Sequence, residues 1–159
     1  MFGRFDYASA PTTNNPEGIR VLGSWTQDNI VRVELPQLIT GGIRPWRTVR
    51  FHRKAADALQ ALWAAWEKAG LLSRIETWNG SYVARYVRGS RTRLSNHAFG
   101  SAFDINFRNN RIGTVPALVG KAGCVRELVP LANQHGFYWG GHFTTPDGMH
   151  FEATEDALG

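Results

Sequence analysis

Three short segments concentrate the residues able to do metal or acid–base chemistry: Ser95–Asp104 (SNHAFGSAFD), Trp139–His142 (WGGH) and Asp147–Glu152 (DGMHFE). Asp104 interrupts the apolar run Ala-Phe-Asp-Ile-Asn-Phe. A carboxylate buried there unpaired costs several kcal/mol, so it must be paired, hydrogen-bonded or bound to metal. His97 lies seven residues earlier, across a turn at Gly100, and His150 sits in a second short apolar run. Two imidazoles and one carboxylate are a ligand set for catalytic zinc, with a fourth position left for water. Asp147, brought close by a turn at Gly148, is then placed to accept that water's proton. Glu152 shares a strand face with His150 and can orient a ligand from behind. Non-haem iron uses the same donor types, but usually with the first His and the carboxylate closer together. Taken singly, each residue also reads as structural: a satisfied polar histidine beside a strand, or an aspartate capping a turn.

These groups need strands and turns to hold them. Ser101–Phe107 alternates, with Ala102, Asp104 and Asn106 on one side and Phe103, Ile105 and Phe107 on the other. Met149–Ala153 predicts a last short strand, and Ile30–Leu35 another, closed by Pro36. Asn79-Gly80 predicts a hairpin turn between Ile75–Trp78 and Ser81–Val87. A helix is expected from about Phe51 to Ala69, where Leu59, Leu62, Trp63 and Trp66 form one apolar stripe. That stripe reads as core and not as a ligand-binding surface. A second helix, Val125–His135, is interrupted at Pro130 and stopped by Gly136. Strands flanking a few helices without a βαβ rhythm indicate the α+β class, a small antiparallel sheet with packed helices.

The chain of 159 residues suits one compact domain, and 43% apolar content is enough to bury a core. Residues 1–20 are expected as an extended leader, because ASAPTTNNPEG at 8–18 is small, polar and proline-bearing. The formal charge is +5, from 18 cations against 13 acids. That surplus favours anionic partners: nucleic acid, lipid headgroups or charged wall polymers. Arg85, Arg88, Arg91 and Arg93 form a basic cluster without a helix-turn-helix or RNA-recognition signature, so no nucleic-acid partner is expected. Cys124 alone excludes an intrachain disulfide and multi-thiolate metal sites, and reads as a small buried residue. The N-terminus lacks the apolar run of a signal peptide, and no stretch is long enough for membrane insertion.

Ser95–Asp104 fits the pattern S-x-H-x-x-G-x-A-x-D, and Asp147–His150 fits [DE]-x-x-H. Together they resemble the paired signatures of the D-alanyl-D-alanine carboxypeptidase-like zinc peptidases. Gly136–Gly141 (GFYWGG) resembles a segment of their L-alanyl-D-glutamate endopeptidase branch, which includes phage endolysins. Arg85 falls where that branch carries a substrate-facing arginine. The similarity spans roughly residues 50 to 153. It implies a hedgehog/D-Ala-D-Ala-peptidase-like fold and a single peptidase domain over 1–159. It implies zinc (Zn2+) held by His97, Asp104 and His150, with Asp147 as general base and Arg85 assisting catalysis. Ser95 is placed to bind substrate or to cap the turn before His97; Trp139 to wall the cleft or to fill the core. The implied substrate is peptidoglycan, hydrolysed by a monomer made in the cytoplasm and delivered to the wall or periplasm. The alternatives are a D-Ala-D-Ala carboxypeptidase or dipeptidase, and a catalytically silent zinc module that binds the wall. His142 departs from the family pattern, and residues 1–50 match nothing in it.

Overall fold

The computed structural model describes residues 1–159. The N-terminal third holds β1 (Tyr7–Ser9), β2 (Ile19–Val21), α1 (Trp25–Asn29), β3 (Ile30–Glu34), α2 (Gln37–Thr40) and β4 (Thr48–His52). Then follow α3 (Ala56–Lys68), β5 (Trp78–Gly80), β6 (Ala102–Ile105), α4 (Val129–Gln134), β7 (Phe137–Trp139) and β8 (His150–Ala153). β1 pairs with β2 and β3 with β4, and a four-stranded sheet has the order β5-β6-β8-β7; every pairing is antiparallel. The class is α+β, as the alternation of short strands with unevenly spaced helices predicts.

The stripe on α3 packs behind the four-stranded sheet, with Leu59, Leu62, Trp63 and Trp66 fully buried. Trp66 meets Phe103 and Phe151 edge-on at 6.2 and 6.0 Å, and its indole N–H donates to the Leu128 carbonyl. Phe103 lies nearly parallel to Trp78 on one side and to Phe151 on the other, at 5.7 and 5.4 Å. This aromatic stack ties β5, β6 and β8 to the helix. Truncating Phe103 leaves a large cavity that its rigid neighbours cannot fill. Phe103→Ala is expected to lower the free energy of unfolding by about 3–5 kcal/mol, measured by chemical denaturation.

Three expectations about elements are corrected. The long helix does not begin at Phe51. Thr48–His52 is a strand paired with β3, because Val49 and Phe51 point into the core while Arg50 faces out, a period of two. A 3₁₀ turn at Arg53–Ala55 then leads into α3, with His52 Nδ1 accepting from the Lys54 N–H. Asn79-Gly80 is not a hairpin turn either. Both residues belong to β5, where Gly80 lies opposite Asp104, and the chain leaves the sheet at Ser81. Finally, residues 1–20 are not an extended leader: β1 and β2 form a hairpin in which Ile19 is buried. The polar, proline-bearing residues between them are its loop, bridged from Thr12 to Asn15. Cys124 is buried, as its size suggests.

Candidate metal centre and cleft

The register of β6 against β8 assembles half of the site. Asp104 lies directly opposite His150, and Ala102 opposite Glu152, while Phe103 and Phe151 pair on the other face and are fully buried. Alternation along the two strands therefore separates a polar face from an aromatic one. His97 arrives from a 3₁₀ turn, Asn96–Phe99. Ser95 Oγ accepts from the His97 N–H at its start, and Gly100 closes it with φ near +64°. A side chain at Gly100 would also meet Ile30 Cδ1 at 2.6 Å, so both the turn and its packing require glycine.

The turn returns the chain so that His97 Nε2 lies 3.2 Å from Asp104 Oδ1, with His150 Nδ1 at 3.0 Å from the same oxygen. One ligand atom from each residue falls within 4.8 Å of the others. Both imidazoles are oriented from behind. His97 Nδ1 donates to the Ser81 carbonyl at 2.6 Å, and His150 Nε2 donates to Glu152 Oε2 at 2.9 Å. With those nitrogens protonated, His97 Nε2 and His150 Nδ1 are left to offer lone pairs toward one point. Asn96 completes the support by donating to Glu152 Oε2 at 2.7 Å.

The charges agree with a cation-binding purpose. Burial alone would raise the pKa of Asp104, but the field of His97 and hydrogen bonds from both histidines outweigh it and hold the carboxyl well below its usual range. Burial likewise opposes charge on His150, yet hydrogen bonds to Asp104 and Glu152 push it up to about 9. Glu152 is lowered, since its bonds to His150 and Asn96 overcome the effect of burial. Two carboxylates thus favour positive charge on the imidazole between them. A cation among the three ligand atoms takes the place of the proton on Nδ1. The nitrogen–nitrogen–oxygen donor set, closed off behind by hydrogen bonds, fits zinc.

Asp147 sits on the turn that leads into β8. Its N–H donates to the Gly140 carbonyl at 2.8 Å, and its own carbonyl accepts from the His150 N–H at 3.1 Å. A Cβ on Gly140 would stand 2.6 Å from that Asp147 carbonyl oxygen and 3.2 Å from His150 Cβ, so the close crossing needs glycine there. Burial raises the pKa of Asp147, with Asp104 adding to the effect, and its Oδ1 is buried without a hydrogen-bond partner. Its place in the cleft leaves this oxygen able to accept a hydrogen bond from a ligand or water there.

Asp147, Arg85, His97, Asp104 and His150 line one cleft of about 1070 Å³, with Phe107, Ile112 and His142 on its walls. Arg85 donates to the Tyr86 carbonyl at 3.1 Å and forms no ion pair; burial lowers its pKa, and Arg88 adds to this. Ser95 also borders the cleft, with its hydroxyl capping the turn before His97. Trp139 does not wall the cleft: it is buried in the core, and its indole N–H donates to the Gly148 carbonyl at 2.8 Å. Its ring is flanked by Gly141, where any side chain would collide with it, and it thereby fixes the loop carrying Asp147. His142 stands edge-on to Trp139 at 5.0 Å. Two supports escape a reading of side-chain types. The Ser81 carbonyl carries no sequence signal, and Asn96 is marked only by its place between Ser95 and His97.

No helix is long and apolar enough to cross a membrane. No curated protein and no solved structure matches the chain. Residues 88–153, which contain His97, Asp104, Asp147 and His150, match the family model described as D-alanyl-D-alanine carboxypeptidase, a match that supports a hydrolase acting as a peptidase.

Proposed function

We propose that this protein is a zinc metallopeptidase that cuts peptidoglycan stem peptides at the L-alanyl-D-glutamate bond, acting at the wall after delivery there. The observation that carries the reading is the convergence of three metal-binding atoms with the unpartnered carboxylate oxygen of Asp147 in one cleft. His97, Asp104 and His150 hold the metal. Zinc, when bound, supplies Lewis acidity toward a carbonyl and lowers the pKa of water towards neutrality. Asp147 takes the proton of the attacking water and gives it to the leaving amine; its raised pKa suits a group that must both accept and release a proton. Arg85, charged and free of ion pairs, balances the negative charge that builds on the carbonyl oxygen or holds a substrate carboxylate.

The endopeptidase assignment is supported by Gly136–Gly141, similar to that branch, and by a cleft bordered by Arg85, Arg88 and Arg93, which suit the carboxylates of a stem peptide. The carboxypeptidase named by the family description is the competing reading. Purified muropeptides incubated with the protein should yield a new D-glutamate amino terminus by mass spectrometry. D-alanine appearing first would establish the carboxypeptidase instead. Arg85→Ala should lower turnover about 100-fold without loss of metal, and Arg85→Lys should recover only part of it, since lysine lacks the planar fork. Full activity in Arg85→Ala would remove that residue from the site.

A further inference from the structure

We infer that the N-terminal hairpin is a working part of the cleft: residues 17–19 hold the segment that carries Arg85, with Glu17 as the positioning residue. The inference rests on the role proposed above for Arg85. Ser81–Val87 has left the four-stranded sheet, so its backbone must be fixed by something else. On one side it is joined to the chain leading into His97: the Val83 N–H donates to the His97 carbonyl, and the Ser95 N–H to the Arg85 carbonyl. On the other side lies the hairpin. Ile19 N–H donates to the Ala84 carbonyl at 3.0 Å, Tyr86 N–H donates to the Glu17 carbonyl at 2.9 Å, and Gly18 bridges Arg85 itself. Arg85 therefore lies on the middle strand of a three-stranded ladder whose outer strand is residues 17–19, and both segments lie outside the family match at 88–153.

Glu17 adds its side chain to this ladder. Its carboxylate pairs with the Arg88 guanidinium and also accepts from the Gly89 N–H at 3.3 Å. These bonds hold its pKa below the usual range. Two consequences follow for the cleft. The loop after Arg85 is tied down at Arg88 and Gly89, and the charge of Arg88 is balanced, so Arg85 and Arg93 are the cleft arginines without an ion pair. Gly18 has no room for a side chain: a Cβ would stand 2.7 Å from the Ala10 carbonyl oxygen and 2.9 Å from that of Asn15. The hairpin is thus shaped to bring Glu17 to this place.

The test compares Glu17→Ala in the native protein and in Arg85→Lys, reading hydrolysis of purified peptidoglycan, metal content and amide hydrogen exchange. A guanidinium aimed at a reacting group loses rate steeply when displaced, whereas a flexible ammonium depends less on its support. Glu17→Ala is expected to lower kcat/KM about tenfold with Arg85 present and less than about twofold in the Arg85→Lys background. Metal content should not change. Exchange should quicken at Gly89, which loses its side-chain acceptor, while the amides of β6 and β8 stay protected. Equal losses in the two backgrounds, native activity of Glu17→Ala, or unchanged exchange at Gly89 overturns the inference. Full activity of Arg85→Ala overturns the reading of the cleft on which it stands, a separate result.

Discussion

His150→Ala is expected to abolish metal binding and hydrolysis together, and to do so more completely than loss of one ligand would require. His150 links Asp104 to Glu152, so its removal deprives two carboxylates of a hydrogen-bond donor in a partly buried site. Each carboxylate then keeps its charge in a partly buried place without the imidazole that balanced it. Zinc content by elemental analysis should fall to background, with peptidoglycan hydrolysis falling by at least about 1000-fold. Chelation of the native protein should reproduce the loss of activity, and added zinc should reverse it in the native chain only. Retention of both metal and activity by His150→Ala would show that the three-residue centre is not the catalytic one.

Asp147→Ala separates chemistry from metal binding. Asp147 stands outside the three ligand atoms that converge, so the variant should keep its zinc and its fold while hydrolysis drops by roughly 100- to 10,000-fold. Asp147→Asn should be equally inactive, because an amide fills the space without accepting a proton in the same way. Removing the carboxylate also relieves a buried, unpartnered oxygen, so thermal stability should hold or rise. An Asp147→Ala protein that loses zinc along with activity would make Asp147 a ligand and leave the proton without this acceptor.

How far the sequence foretold this site depends on distance along the chain. Asp104 stood out because a charge within Ala-Phe-Asp-Ile-Asn-Phe needs a partner, and the alternation of that run placed its side chain opposite the aromatic face. The stripe of α3 was legible for the same reason, a period that burial imposes. Asn79-Gly80 misled because turn chemistry is a local preference, and pairing of Gly80 with Asp104 overrides it. α3 starts later than its apolar pattern suggests because Val49 and Phe51 fit a buried strand, while the apolar residues after Phe51 fit a helix. The hairpin at residues 7–21 was invisible, since its polar loop resembles a tail until Ile19 and Glu17 meet the segment around Arg85. Trp139 lay at the boundary of what spacing can decide: its motif placed it near the site, and only packing shows that it supports the loop from inside.

The two opposed faces of the β6–β8 pair also govern which changes in chain length the protein can absorb. Phe103 and Phe151 face the core from the same two strands that present Asp104 and His150 to the cleft. Inserting or deleting one residue within either strand exchanges its faces, driving a carboxylate or imidazole into the aromatic stack and a phenyl ring into the open cleft. Natural divergence and engineered grafts must therefore place their length differences in the connections, such as 107–128, while β6 and β8 keep their residue count.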